Sequence, residues 1–327
     1  VLFKIMRELL EAGISIVYIS HRLEEIMEIG DHVTILRDGK YVADADVKDI
    51  ELSWIVENMV GKNTQYHRFE RSIDLSKQPK VLEIKDMCLP KKGGGWTLDH
   101  VSLDLKKGEV LGVYGLLGAG RSELFECLMG LHPEHTGDVL YEGKKLNIKD
   151  VAAQIKNGFA LVPEDRQSQG LIQTLDIGKN TAISSMKDYV KGLFLDEKAE
   201  NAAVDEQIKD IHIKVADKRL PILSLSGGNQ QKVVIGKGLL TKPKILLLDE
   251  PSRGIDIGAK TEVIHDLAEK GLSIIVISSE LKEIMAIADR IIVLSNGKKT
   301  GELTGDEITE DTLVRTSYAG LGTGRNA

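Results

Sequence analysis

The sequence predicts an α/β fold built around a mostly parallel β-sheet. Aromatic residues make up only 4% of the chain against 42% hydrophobic residues, so Ile, Leu, Val and Ala must form the core. Such cores are typical of parallel strands covered by helices. Short apolar runs of strand length alternate with helical patterns, which indicates strand–helix–strand units. These runs are 15–19, 110–114, 159–162, 245–248 and 274–277.

A long internal repeat divides the chain. The segment Gly13–Ser20 aligns with Gly271–Ser278, and the alignment continues without a gap well beyond both segments. Duplication explains this match better than a chance likeness between two strand–helix units. We therefore expect residues 1–60 to be the C-terminal remnant of a first domain copy and residues 81–327 to hold a second copy.

The segment between the two copies has the character of a linker. Residues 61–80 are polar, mixed in charge and without sustained periodicity. The chain opens at Val1, with neither Met nor a leader pattern, inside an element that looks interrupted. We expect it to be a fragment of a longer protein.

Composition excludes several classes of protein. The net charge of −7 argues against a general nucleic-acid binder, because such domains carry a basic excess. The longest stretch without a strongly polar residue, Val110–Gly120, is too short and too rich in glycine to span a bilayer. Two cysteines, Cys88 and Cys127, offer no disulfide framework and favour a reducing, cytoplasmic compartment.

A phosphate-binding loop is predicted at Gly115–Ser122, between the run 110–114 and a helical pattern. Its glycines let backbone N–H groups surround phosphates, and Ser122 can place a hydroxyl on Mg²⁺. Arg121 stands where this pattern has Lys, and a planar guanidinium is not equivalent to a compact ammonium. Taken alone, the loop could also be a Gly-rich turn. The predicted nucleotide-binding residues here are Gly115, Gly118, Ala119, Gly120, Arg121, Ser122 and Glu123.

The apolar run 245–248 ends in two carboxylates. This arrangement would put Asp249 near the magnesium of the loop and Glu250 beside an attacking water. Buried strands often end in acidic residues, so a structural role is about as good an explanation for the pair alone.

A more specific motif, Leu225–Lys232, lies between the loop and the carboxylates. Two glycines before a helical pattern expose N–H groups to an anion, and Ser226 adds a hydroxyl. A plain helix cap would need only Ser226 and one glycine.

Together these motifs resemble the ATP-binding subunits of ABC transporters, whose signature Leu225–Gln230 matches almost letter for letter. More narrowly, the chain resembles the carboxy-terminal half of the duplicated ATPases that serve bacterial importers of ribose, galactose and xylose. The tandem architecture supports the narrower resemblance, together with Gly118–Ser122, Pro163–Arg166, Leu225–Lys232 and Glu250–Asp256.

The resemblance implies a P-loop ATPase core with a mostly parallel sheet, a small antiparallel β region and a helical subdomain at about 165–225. It implies ATP and Mg²⁺ as ligands, with Ser122 and Asp249 on the metal and Glu250 as a catalytic residue. In this family, the signature of one copy closes over nucleotide held by the loop of the other. The signature residues implied to contact nucleotide are Ser226, Gly227, Gly228 and Gln230.

The second copy departs from the family pattern at three positions. Besides Arg121, Glu164 stands where the family usually has a Gln that senses the γ-phosphate and Mg²⁺, and Ser279 stands where a switch His is expected. The repeat places His21 of the first copy opposite Ser279. A lone histidine after a strand is more often structural, but the resemblance implies a catalytic role for His21 in a first, stronger site.

We therefore expect a degenerate second nucleotide site, together with the signature and the His21 that serve the first site. The implied function is an ATPase that energises a monosaccharide permease from the cytoplasmic face of the membrane. The implied partners are a permease helix docked near Glu164, a first-domain copy or a second ATPase chain, and, indirectly, a sugar-binding protein; we expect no nucleic acid. The alternatives are a soluble ABC ATPase unrelated to transport and a non-hydrolysing regulatory module.

Other candidate residues carry weaker signals. Trp96 lies several residues from where the family stacks a ring on adenine, and loop packing explains it as well. His132 and His135 fit an exposed turn better than a metal site. Asp256 fits either an interface between copies or a surface turn.

Overall fold

The computed structural model of the chain contains two compact units, Val1–His67 and Arg68–Ala327. It describes residues 2–19, 23–37, 40–51, 54, 55, 58, 71–251 and 257–319.

In the first unit, two helices are followed by an antiparallel pair of strands. Helix α1 spans Leu2–Glu11 and α2 spans Leu23–Ile29. Strands β1, His32–Arg37, and β2, Lys40–Asp46, pair with each other. A small apolar cluster forms the core of this unit, with Val33, Ile35, Val47 and Ile55 as its buried members.

The described residues of the second unit form three sheets. The strands are β3 (Lys80–Pro90), β4 (Trp96–Lys106), β5 (Val110–Gly115), β6 (Thr136–Tyr141), β7 (Lys144–Lys145), β8 (Phe159–Val162), β9 (Val190–Lys191), β10 (Phe194–Leu195), β11 (Ile245–Asp249), β12 (Ser273–Ile277), β13 (Arg290–Ser295) and β14 (Lys298–Thr304).

The helices of the second unit lie between these strands. They are α3 (Arg121–Leu128), α4 (Val151–Lys156), α5 (Ile177–Ala182), α6 (Glu197–Asp210), α7 (Gly227–Leu239), α8 (Ile257–Glu269), α9 (Leu281–Ile287) and α10 (Glu310–Tyr318).

The central sheet has the strand order β14-β13-β5-β12-β11-β8, and only the edge strand β14 runs antiparallel to its neighbour. A separate antiparallel sheet has the order β4-β3-β6-β7. Helices α5 and α6 and the short β9–β10 hairpin lie within the predicted helical segment. The predicted α/β fold with a mostly parallel sheet, a small antiparallel region and a helical subdomain is confirmed.

Two apolar clusters build the core of the second unit. One includes side chains of the central sheet and of helices α7, α8 and α9, such as Val234, Ile264 and Ile284. The other includes side chains of the central sheet, α3 and the antiparallel sheet, such as Phe125 and Leu98. Side chains of the central strands are thus buried in both clusters, which explains why these strands are continuous apolar runs.

The internal repeat is a structural repeat. Helix α2 and strands β1 and β2 coincide, residue for residue along the repeat, with α9, β13 and β14. Even the irregularity in strand pairing recurs, between Ile35 and Leu36 in one unit and between Val293 and Leu294 in the other.

One segment of the first unit differs from its counterpart. Residues 15–19, which the sequence suggested as a strand, form no strand, and Val17 and Ile19 are 94% and 93% exposed. The counterparts of these two residues in β12, Ile275 and Ile277, are fully buried. Strand β12 pairs with β5 and β11, whereas the counterparts of those neighbours are not among residues 1–67. The strand prediction was wrong because a strand needs hydrogen-bonded neighbours as well as an apolar pattern.

Within the described ranges, no helix is long and apolar enough to cross a membrane.

The repeat provides a matched pair of substitutions. Ile275→Ala should destabilise the second unit by about 2–5 kcal/mol, because it leaves a cavity in a buried strand. Val17→Ala, at the equivalent position, should cost less than about 0.5 kcal/mol, because the side chain is exposed. Thermal or urea unfolding of the full chain measures both changes. Equal losses of stability would show that residues 15–19 are buried.

Candidate functional site

The predicted phosphate loop joins β5 to α3 and depends on close backbone packing. A Cβ on Gly115 would lie 2.4 Å from the carbonyl oxygen of Leu294. Gly120, the residue before α3, has a φ of 92°, and a Cβ there would lie 2.8 Å from the carbonyl oxygen of Thr97. Glycine is needed at Gly115 because of this approach, and at Gly120 because of both the approach and the left-handed backbone. These two glycines therefore let the loop pack against the backbone of β13 and β4.

The first residues of α3 contact the carboxylate that ends β11. The hydroxyl of Ser122 is hydrogen-bonded to Asp249, whose residue is only 5% exposed. Burial raises the pKa of Asp249 to about 6; the Ser122 hydrogen bond opposes this shift, and the charges of Glu164 and Glu250 add to it. Among the described residues, the buried Oδ1 of Asp249 has no hydrogen-bond partner.

A hydroxyl beside a buried carboxylate oxygen with a spare lone pair suits a hard cation such as Mg²⁺. The structure thus brings together Ser122 and Asp249, the two residues that the sequence assigned to the metal.

The second carboxylate, Glu250, is held at both oxygens. The Nη1 atom of Arg121 lies 3.3 Å from its Oε1, and both side chains are only 10% exposed. The hydroxyl of Ser279 donates to its Oε2 at 3.1 Å. Arg121, which the sequence placed at the phosphates, is therefore paired with the predicted catalytic carboxylate.

The carboxyl ends of parallel strands bring these groups together. Strand β5 ends at Gly115 and β11 ends at Asp249, and Ser279 closely follows β12. The N–H of Glu250 donates to the carbonyl of Ile277 at 3.0 Å, which fixes the chain just beyond Asp249. Ligand sites of open α/β sheets form at this edge.

The signature motif begins helix α7. Ser226 is the residue before the helix, and the side-chain amide of Asn229 donates to its hydroxyl at 3.0 Å. The side chain of Gln230 donates to the carbonyls of Ile222 and Leu225 and is mostly buried. These contacts fix the shape of the segment that contains Gly227 and Gly228.

Two residues that the sequence analysis did not assign to the site contact the signature. A Cβ on Gly227 would lie 2.7 Å from Nη2 of Arg166, and the side-chain amide of Gln167 donates to Gln230 at 2.6 Å. Glu164 lies in the same loop and acts on the pKa of Asp249. This loop therefore lies between the carboxylate of the site and the signature. In the sequence, the motif Pro163–Arg166 was the only signal that pointed to this loop.

Within the described part of the second unit, no hydrogen bond or ion pair joins the signature to the phosphate loop. The two motifs for which anion binding was predicted are thus separate parts of one unit.

The structure describes some of the remaining candidate residues but not all of them. Trp96 begins β4, is 47% exposed, and has its ring edge-on to His100 at 6.4 Å between centroids. His132 pairs with Glu126 at 2.7 Å. His21 and Asp256 lie outside the described residues.

Comparison with known proteins adds functional information. Residues 98–253 match the family model described as ABC transporter. The ribose import ATP-binding protein RbsA of Oceanobacillus iheyensis is 40% identical over 98% of this chain and 64% of the relative. The galactose/methyl galactoside import ATP-binding protein MglA of Clostridium perfringens is 42% identical over 97% of this chain and 61% of the relative. The xylose import ATP-binding protein XylG of Pseudomonas savastanoi is 38% identical over 96% and 61%.

The chain spans about three fifths of the length of these curated relatives. The resemblance to ATP-binding proteins of ribose, galactose and xylose import is confirmed.

Solved structures agree on the fold. A nucleotide-free ATP-binding cassette from an ABC transporter has a TM-score of 0.62 at 23% identity and covers 72% of this chain and 96% of its own. An ADP form of another such cassette has a TM-score of 0.63 at 22% identity, covering 74% and 99%. The predicted fold of an ABC ATPase core is confirmed.

Two loop glycines should differ in their tolerance of a side chain. Gly115→Ala should lower the free energy of unfolding by about 3 kcal/mol, because the added Cβ meets a backbone oxygen. Gly118 has a φ of 80° but open space around it, so Gly118→Ala should cost only about 1 kcal/mol. Urea unfolding of both variants measures the difference, and a larger loss for Gly118→Ala would contradict the described loop.

Because the pKa of Asp249 is raised, we expect replacement of this residue by Asn to stabilise the folded chain in a pH-dependent way. Since the pKa rises from an ordinary value of 3.8 to about 6, ionisation of Asp249 destabilises the fold as pH rises between these values. Asp249→Asn should therefore stabilise the metal-free chain by about 2–3 kcal/mol above pH 6, and by little near pH 4.

Thermal unfolding in EDTA across this pH range tests the effect of Asp249→Asn. Glu206→Gln on the exposed face of α6 is a control for loss of one charge. A variant less stable than wild type at pH 8 would contradict burial of an unneutralised carboxylate.

Proposed function

We propose that the chain is part of an ATPase that energises import of a monosaccharide through a membrane permease, because residues 98–253 match the family model described as ABC transporter. The contact between Ser122 and Asp249 carries this proposal, because it unites the phosphate loop with the carboxylate strand at one edge of the sheet. The relatives that cover nearly all of the chain are import ATP-binding proteins for ribose, galactose and xylose.

The proposed substrate is ATP, held with its phosphates against the backbone N–H groups of Gly115–Ser122 and the positive end of α3. Bound Mg²⁺ would supply neutralisation of phosphate charge at Ser122 and Asp249. Glu123 follows Ser122 in the sequence, and the charge of Glu164 acts on Asp249. These two residues complete the proposed nucleotide site.

Glu250 is the proposed residue that orients and deprotonates the attacking water. Its pairing with Arg121 and Ser279 keeps both of its oxygens engaged. Contacts at both oxygens leave less of the carboxylate free to bind and orient an attacking water. We therefore propose slow hydrolysis at this second, degenerate site.

The signature residues Ser226, Gly227, Gly228 and Gln230 are proposed to serve a different nucleotide site, to which His21 also belongs. Support comes from the lack of a described bond between the signature and the loop of the same unit, and from the structural repeat. The other site would form on a first-domain copy or on a second ATPase chain. In this proposal, residues 1–60 belong to a first copy, 61–80 form the linker and 81–327 form the second copy.

A groove that shares Ser122 and Asp249 with the site suits the proposed permease contact where it is lined by Pro163 and Ser184. It has a volume of about 420 Å³, and its lining includes Ser122, Phe125, Pro163 and Ser184. It thus lies between the phosphate-loop helix and the helical region, one residue from Glu164. We propose that a cytoplasmic helix of the permease docks here, which places the chain at the cytoplasmic face of the membrane, with a sugar-binding protein as an indirect partner.

The ion pair between Arg121 and Glu250 also favours a second candidate, a module that binds ATP without hydrolysing it. In that case the nucleotide would act only by drawing the two copies together.

Calorimetry and a phosphate-release assay on the purified chain test the proposal. We expect Mg-ATP to bind and to turn over slowly, and Glu250→Gln to remove the remaining turnover while binding is retained. Glu206→Gln, on the exposed face of α6, is a matched control. Absence of Mg-ATP binding would overturn the proposal, and binding with no turnover, even beside an intact first copy, would select the non-hydrolysing module.

A further inference from the structure

A cavity lined by several lysines lies at the edge of the central sheet opposite the proposed nucleotide site. It has a volume of about 700 Å³ and borders Lys244, directly before β11, and Ser273, the first residue of β12. The nucleotide residues follow the other ends of these strands. We call this cavity the basic groove, and its charged lining residues are Lys80, Lys107, Lys242, Lys244, Lys270 and Glu142.

The charge of the basic groove opposes that of the whole protein. Five lysines and one glutamate line it, whereas the chain carries a net charge of −7. Lys80 pairs with Asp104 at 3.5 Å, and Lys244 pairs with Glu142 at 3.8 Å. Within the described part of the chain, the other three lysines make no ion pair and are exposed. The groove therefore holds several cationic groups without compensating acids.

These lysines come from distant parts of the sequence. Lys80 begins β3, Lys107 lies between β4 and β5, Lys242 and Lys244 lie between α7 and β11, and Lys270 follows α8. Like charges that converge on one cavity repel each other unless an anion joins them. The repeat places Ala12 of the first unit opposite Lys270, so the two repeats do not share a lysine at this position.

The rest of the groove is suited to an organic group. Its walls include the half-buried side chains of Leu239, Leu267 and Leu272, which pack against the main core. Tyr141 also lines it; the ammonium of Lys244 lies 5.9 Å from the centre of the tyrosine ring. An aromatic ring and aliphatic side chains beside several ammonium groups match a ligand with one apolar or ring face and one multiply charged end.

We propose that the basic groove binds a small phosphate monoester whose organic part contains a ring. A phosphate monoester concentrates about two negative charges in one compact group, which several lysines around a single cavity can reach together. The proposal goes beyond ATP hydrolysis, because it adds an anion site at the edge of the sheet remote from the phosphate loop.

Calorimetry with ribose 5-phosphate on the full chain tests the proposal, with ribose and inorganic phosphate as comparison ligands. We expect saturable binding of ribose 5-phosphate at one site, no binding of ribose, and binding of inorganic phosphate weaker by at least about tenfold. The affinity should fall with rising salt, because the contacts are ionic.

Two double variants assign the site. Lys242→Ala with Lys270→Ala should weaken binding of ribose 5-phosphate by at least about tenfold, because it removes two unpaired cations of the groove. Lys187→Ala with Lys198→Ala removes two exposed lysines elsewhere and should leave the affinity within about twofold. All four side chains are exposed, so both variants should unfold at the wild-type temperature.

Several results would overturn the proposal. These are absence of binding by ribose 5-phosphate, an unchanged affinity in the groove variant, and an equal loss in the control variant. Equal affinities for inorganic phosphate and ribose 5-phosphate would exclude the contact with the ring. An unchanged affinity in the groove variant would direct attention to the phosphate loop, while leaving the proposed ATPase function intact.

Discussion

The proposed nucleotide site depends on a buried carboxylate that no ion pair within the described residues neutralises. Asp249 ends a central strand, is hydrogen-bonded by Ser122 and keeps one oxygen without a described partner. Its raised pKa shows that burial makes ionisation costly. A protein selected for stability alone would have no reason to keep such a group, whereas a site for a metal and a polyphosphate requires it.

At this edge of the sheet, the groups proposed for ATP binding and the group proposed for hydrolysis differ in their contacts. The groups proposed to hold the phosphates and the metal are backbone N–H groups, the hydroxyl of Ser122 and Asp249, and the structure brings Ser122 and Asp249 into contact. The part that would activate water, Glu250, is held by Arg121 and Ser279. Arg166 and Gln167 lie against the signature, and the nearby Glu164 acts on the pKa of Asp249.

Local patterns predicted much of this site because glycine spacing and a strand ending in acids are properties of short segments. Contacts between distant segments were not predictable in this way, as the pair Arg121–Glu250 and the bond Gln167–Gln230 show. The strand prediction for residues 15–19 was wrong for the opposite reason. The local pattern suggests a strand, but a strand also needs neighbouring strands to which it can form hydrogen bonds. The lysines of the basic groove, such as Lys107 and Lys270, are unremarkable in sequence and meet only in the folded unit.

Electron paramagnetic resonance of Mn²⁺, used in place of Mg²⁺, tests the central claim most directly. Titrated into the chain with ATP, Mn²⁺ should occupy a tight site in the wild type and lose it in Asp249→Asn, because the unpartnered oxygen is then part of an uncharged amide. Tight Mn²⁺ binding that survives in Asp249→Asn would contradict the account.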